Sequence, residues 1–249
     1  MEFDRLIAHG VGIDVWQKGD MAVKVFKEDQ PKTMVLYEAI TQARIEETGL
    51  SVPKIIEVSK IDGDWAITMD LIEGKMLADL MKENPEKMDE YIEEMVDLQL
   101  EIHAKKSPRL IKLKDQLRHD IESLDCIDAT RKYELLTRLE SMPKHTKLCH
   151  GNFSPLNIMK MDGKTYLIDW IAATQGNASA DVGVTYLLLT LDYSEEIAER
   201  YMDLFCRKSN TEKKYVQAWL PIIAASRLTK GIEKEKDLLM KWIDVVDYE

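Results

Sequence analysis

Apolar residues recur along this chain with two periods, and the switch from one to the other predicts the order of elements. In "DVWQKGDMAVKVF" hydrophobic and other residues alternate on both sides of Lys18, Gly19 and Asp20, the pattern of two short strands joined by a tight turn. "TMVLYEAITQARIEETG" changes to helical spacing at Met34, Leu36, Ala39, Ile40 and Ala43, and Gly49 offers a helix stop. After Pro53, "KIIEVSKIDGDWAITMDLI" returns to two apolar stretches around an Asp62-Gly63 turn. The predicted order up to residue 70 is strand, strand, helix, strand, strand.

From Leu77 to Lys106 the spacing is helical, with an interruption near Pro85 and an apolar stripe at Met95, Leu98, Leu100 and Ile102. Leu110 to Met142 continue as charged amphipathic helices, and the charged run from Lys105 to Arg118 reads as a solvated helix face. Strand-like segments then bracket a polar loop: "TKLCH" enters it, and "NIMKMDGKTYLIDW" leaves it through an Asp162-Gly163 hairpin. From Ala178 onward the pattern is helical again. With no internal repeat and no low-complexity linker, the boundary between two lobes is expected near Met69 to Glu73, giving an N-lobe of residues 1–70 and a C-lobe of residues 71–249.

A chain of 249 residues, 45% hydrophobic and 32% charged, is long enough to bury a core in one large domain or two lobes. It lacks an apolar run of spanning length and a charged-then-apolar leader, so a cytoplasmic protein with no membrane partner is expected. Cys126, Cys149 and Cys206 are odd in number and far apart, which argues against a disulfide framework and makes them packing residues. Cys149 beside His150 has no companion ligands at zinc spacing. A formal charge of −11 repels phosphate backbones, so no nucleic-acid partner is expected; it suits a cationic small-molecule substrate. Oligomeric state stays open.

The chemistry concentrates around "LCHGNFSPLNIM", residues 148–159. Phosphoryl transfer from ATP needs positioning and charge neutralisation more than covalent chemistry. Lys24 in "MAVKVF" has the strand context to hold phosphates, and Glu38 in "LYEA" starts a helix able to face it. Asn157 and Asp169, separated by a short hairpin, offer the oxygen ligands that magnesium prefers. Gly10 and Gly12 in "AHGVGIDV" allow backbone to approach phosphate, or simply make a turn. His150 and His103 read as structural imidazoles, and Trp65 and Trp170 as core or cleft walls. The base that would take an acceptor's proton is missing from its place, where Asn152 stands.

This ordered set resembles the aminoglycoside phosphotransferase and choline kinase-like family, in particular a compact bacterial branch of it. The family's His-Gly-Asp, four residues, Asn and later Ile-Asp stand here as His150-Gly151-Asn152, Asn157 and Ile168-Asp169, and the likeness runs essentially the whole chain. It implies an α+β, bilobal protein-kinase-like fold: a small N-lobe with an antiparallel sheet and one helix, and a larger, mainly helical C-lobe. It further implies ATP and magnesium as cofactors, with Lys24 on the α and β phosphates, Glu38 pairing it, and backbone near Asp70 and Ile72 meeting the adenine. Asn157 and Asp169 would hold magnesium, and Asp181 in "ADVG" would brace the loop from a helix beneath it, with His150 as a second structural support. Ala172 and Val184 depart from the branch, where an acid and an arginine are common.

Asn152 leaves the function with alternatives. An amide keeps the shape of a carboxylate and accepts a hydrogen bond, but it cannot take a proton at neutral pH. The chain reads either as a small-molecule phosphotransferase that works without this base, because proton transfer comes late in a loose transition state, or as a catalytically impaired, nucleotide-binding pseudoenzyme. A third account is an asparagine introduced to trap a complex. The acceptor hydroxyl, and ATP against GTP, are not written in the chain.

Overall fold

The structure, a computed structural model, describes residues 2–244; Met1 and residues 245–249, at the far ends of the two expected lobes, lie outside it. Five strands form one antiparallel sheet: β1 (Arg5–Gly10), β2 (Ile13–Lys18), β3 (Met21–Phe26), β4 (Ile55–Ile61) and β5 (Asp64–Asp70), in the order β1-β2-β3-β5-β4. One helix, α1 (Lys32–Glu46), lies in the chain between β3 and β4. The hairpin turns form where the sequence allows left-handed backbone, at Gly19 (φ 60°) and at Asp62-Gly63 (φ 51° and 102°). The strand β1 was not anticipated. All its residues are exposed, a bulge interrupts its pairing between Leu6 and Ala8, and so it carries no two-residue hydrophobic period. Phe26, Val35, Ala39 and Ile67 make the core between sheet and helix.

Beyond the sheet come β6 (Lys75–Met76), α2 (Leu77–Glu83) and a 3-10 turn at Pro85–Lys87, where the interruption was expected. In α3 (Met88–Ala104) the buried positions are Tyr91, Ile92, Met95, Val96, Gln99, Ile102 and His103. Leu98 and Leu100 of the expected stripe are only half-buried, because at about 100° per residue they fall at opposite edges of the face that the others form. The expected helical run from Lys105 starts later: α4 spans Leu113–Ser123, and in the segment before it Ser107 and Leu110 are buried. Then follow α5 (Ala129–Ser141), β7 (Lys147–Cys149), the hairpin β8 (Ile158–Met161) and β9 (Lys164–Leu167), and β10 (Thr174–Gly176). The chain finishes with α6 (Ala178–Asp192), α7 (Glu195–Ser209), α8 (Lys213–Gln217), α9 (Leu220–Leu228) and α10 (Lys236–Asp244). No described helix is long and apolar enough to cross a membrane.

The contacts gather into two compact units, Met1–Pro85 with Pro155–Ala172, and Glu86–Ser154 with Ala173–Glu249. The first therefore runs past residue 70 and takes in the β8–β9 hairpin, because β6 pairs with β8. Gly74 makes that approach possible, since a Cβ there would meet the Lys160 backbone. The second unit is built on helices around Leu117, Ile121, Leu139, Leu187, Trp219 and Ile223, with the short β10–β7 pair at one side. An antiparallel N-terminal sheet with one helix, followed by a mainly helical region, is the α+β kinase-like arrangement expected from the sequence.

Candidate functional site

In the first unit Lys24 sits on β3, the middle strand of the sheet, with Val15 and Ile67 as its cross-strand neighbours. A lysine surrounded in this way cannot reach bulk water easily and needs a partner. Its Nζ donates to Glu38 Oε1 from α1, fourteen residues on. Burial pushes the Glu38 carboxyl above its ordinary value of 4.5; the charge and hydrogen bond of Lys24 pull it back, and the nearby charge of Asp169 raises it further. Glu38 Oε2 is buried with no hydrogen-bond partner among the described residues. The Glu38 carboxyl thus fixes where the Lys24 Nζ points.

Lys24, Glu38, Asp70, Ile72 and Asp169 all line one cavity of about 270 Å³. Its remaining wall is largely apolar, from Ile7, Val15, Ile67, Met69 and Met159 among others. Trp170 lines it too, with its indole Nε1 donating to Leu167 O at 3.1 Å. Asp70 caps the start of β4 by accepting from Lys54 N at 3.1 Å, and the next amide, Leu71 N, donates to Asp20 O at 3.3 Å. These bonds fix the backbone from Asp70 to Ile72 against the sheet. Gln42, one helical turn after Glu38, also lines the cavity and donates to Pro53 O at 2.6 Å. Sequence reading missed it, although its position four residues after Glu38 on one helix face was a usable signal.

Asn157 ends a 3-10 turn just before β8, and Asp169 follows β9 by two residues, so the hairpin brings them to its same open end. There Ile168 N donates to Asn157 O at 3.0 Å. Asp169 has φ 62°. Of the other non-glycine residues with positive φ among those described, Asp62 and Asp162 occupy hairpin turns and Asn210 caps a helix; Asp169 does neither. Left-handed backbone at such a position is strain that surrounding contacts must maintain, and it aims a carboxylate at the cavity. Asn157 is buried at this end of the hairpin and is not among the residues that line the cavity; a carboxylate and an amide oxygen are hard donors of the kind magnesium takes when substrate phosphates complete its shell. No cluster of three or more His, Cys, Asp or Glu among the described residues would hold a metal by itself. Gly10 and Gly12 flank the β1–β2 turn and do not line this cavity; Gly12 has φ 72° and the Gln30 side chain against it.

The loop that follows β7 is organised within the second unit. His150 is fully buried, accepts the Asn152 amide through Nδ1 at 3.3 Å, and meets Phe153 edge-on. Gly151 adopts φ 76°, and its amide donates to Asp181 Oδ1 at 2.7 Å. Asp181 Oδ2 lies 2.9 Å from His103 Nε2 and 3.1 Å from Gln99 Nε2. Burial pushes the Asp181 carboxyl up, but the His103 hydrogen bond and charge, the Gly151 amide and the charge of His150 together hold it below its ordinary value of 3.8. Gln99 also meets Thr185, and Tyr201 donates its hydroxyl to Gln99 Oε1. The Gln99, Thr185 and Tyr201 layer behind Asp181 was not read from the sequence, because its members lie up to 102 residues apart. Cys149 is fully buried and its thiol is pushed well up by burial, as suits a packing residue.

The phosphotransferase enzyme family matches residues 5–217. No curated protein sequence matches the chain. Among solved structures, a choline/ethanolamine kinase family protein from Mesorhizobium loti superposes with TM-score 0.63 at 14% identity, covering 98% of this chain and 85% of that one. A thermostable mutant of aminoglycoside phosphotransferase APH(4)-Ia, in a ternary complex with ADP and hygromycin B, gives TM-score 0.67 at 13% identity, covering 96% of this chain and 90% of that one. ADP-bound aminoglycoside phosphotransferase APH(2'')-Ib gives 0.64 at 16%, covering 98% and 92%. At such identities the likeness speaks for the fold.

Proposed function

Because this chain belongs to the phosphotransferase enzyme family, matched over residues 5–217, we propose that it transfers the terminal phosphoryl group of ATP to a hydroxyl of a small molecule. The observation that carries the reading is the Lys24–Glu38 pair on the wall of an apolar cavity that also receives Asp169. The adenine lies in the apolar part and meets backbone between Asp70 and Ile72. Lys24, aimed by Glu38, holds the α and β phosphates. Asn157 and Asp169 hold magnesium, which when bound neutralises phosphate charge. Nucleotide complexes of the APH(4)-Ia and APH(2'')-Ib structures support the choice of cofactor. Asp181 and His150 hold the backbone of the loop that carries Asn152, and Asn152 accepts a hydrogen bond from the acceptor hydroxyl without taking its proton.

Asn152 also supports a second reading, a nucleotide-binding module with little or no turnover. Both readings require the cavity to bind Mg-ATP. Saturation at about 100 times Kd adds about 2.7 kcal/mol of stability, a melting shift of several degrees for a chain of this size. The expected result is that Mg-ATP raises the melting temperature of the wild type and not of Lys24→Met. A folded wild-type sample with no shift would sink both readings.

A further inference from the structure

The second unit contains a cavity of its own, about 640 Å³, that no step of the proposed transfer uses. It is bounded by the last turn of α3, the start of β7, the start of α6 and the end of α7 with its turn into α8. Its volume suits one small metabolite. His103, His145 and Lys147 in its wall are basic, and Glu212 is its acidic side chain. In a chain of formal charge −11, counted with histidines neutral, this lining carries no net negative charge, because Lys147 offsets Glu212. Lys213, next to Glu212, is already committed to Glu199 and Asp203. Leu100, Ala104 and Phe205 supply an apolar side, and hydroxyls and amides such as Ser209 and Asn210 a polar one. The α6 N-terminus adds little, since the amides of Ser179, Ala180 and Asp181 are taken by Asn177.

His103 ties this cavity to the loop. It is buried, and its Nδ1 has no hydrogen-bond partner in the chain among the described residues. Its Nε2 contacts Asp181 Oδ2 at 2.9 Å, and Asp181 Oδ1 holds the Gly151 amide at 2.7 Å. A group in the cavity that acts on His103 therefore reaches the residue before Asn152 through two hydrogen bonds. We propose that this cavity is a second small-molecule site for an organic anion, a carboxylate or phosphate monoester on a compact apolar body, whose occupancy is transmitted to the Asn152 loop through His103, Asp181 and Gly151. The binding stands by itself; its meaning as regulation rests on the phosphotransferase reading.

Phenyl phosphate, phenylacetate and the neutral benzyl alcohol, titrated calorimetrically into the full chain, test the proposal. Both anions bind, and benzyl alcohol binds at least about tenfold more weakly. Lys147→Glu, at an exposed position, weakens both anions by about tenfold, and Ala104→Trp, which fills the cavity from an exposed helix position, removes their binding. Phenyl phosphate can also enter the nucleotide cavity, so Lys24→Met is titrated in parallel and keeps its response to both anions. In the wild type either anion slows hydrogen exchange at the Gly151 amide. Melting curves of each variant establish folding, and their Mg-ATP shifts are recorded separately, so that failure of the nucleotide reading is seen as such. The site is overturned if the wild type binds neither anion, if benzyl alcohol binds equally well, or if folded Lys147→Glu and Ala104→Trp bind as the wild type does. Anion binding with unchanged Gly151 exchange overturns the relay.

Discussion

At position 152 one amide replaces the carboxylate that the family pattern leads one to expect, while the backbone around it is held as a working loop would be: Gly151 on Asp181, and the Asn152 amide on His150. A general base contributes about 10² to 10⁴ in rate. Asn152→Asp should therefore raise ATP turnover at least about tenfold, measured as ADP release across a broad panel of hydroxyl acceptors. No gain on the whole panel favours the binding module. Glu38 makes a different claim. Its folded carboxyl is raised above 4.5 by burial, against the pull of Lys24, so the folded state holds that proton more tightly than the unfolded chain does. The contribution is fully present below 4.5 and is lost as pH rises through the folded value. Urea titrations at a series of pH values should show the stability of the wild type falling relative to Glu38→Gln over that interval. A constant difference would contradict the burial argument. That Lys24 stands on a strand, Glu38 on a helix, and Asn157 and Asp169 at the two ends of a hairpin was legible in the sequence, because each of those elements has a local pattern. Gly10 and Gly12 were chosen as glycines near the first turn, and neither is among the residues that line the cavity.

Among the elements, the β8–β9 hairpin matters most, since its turn decides whether Asn157 and Asp169 share an end. Asp162 and Gly163 adopt φ 50° and 75°, and a Cβ on Gly163 would meet nothing within 4 Å. Gly163→Ala should accordingly cost about 1–2 kcal/mol through backbone conformation alone. Urea denaturation checks this, and an effect below about 0.3 kcal/mol would mean that the turn relaxes. The hairpin was visible in advance because Asp-Gly between apolar runs is a local signal. Strand β1, β6 and β10 were not: the first is exposed along its length, and the others have two and three residues, too few to show a period.

For the molecule as a whole, the helical unit rests on side chains such as Trp219, fully buried beside Ile222 and Ile223, with an indole Nε1 that finds no partner among the described residues. Trp219→Ala should lower stability by about 3–5 kcal/mol, while Trp219→Phe, which keeps much of the ring and removes the unsatisfied donor, should cost less than about 1.5 kcal/mol. Thermal or urea unfolding measures both, and equal losses would mean that the indole nitrogen is satisfied after all. The sequence by itself determined the kinds and order of most elements, the Lys24, Glu38 and Asn157-to-Asp169 spacing, and the absent carboxylate at 152. Those follow from hydrophobic period, turn chemistry and side-chain type, all of which act over a few residues. Only the tertiary structure decided that Lys24 lies on the middle strand rather than an edge, that residues 71–85 and 155–172 join the sheet's unit, and that Gln99, His103, Thr185 and Tyr201 gather behind Asp181. The physical reason is that burial and strand pairing join residues far apart along the chain, and no local pattern records which distant partner a half-buried side chain will meet.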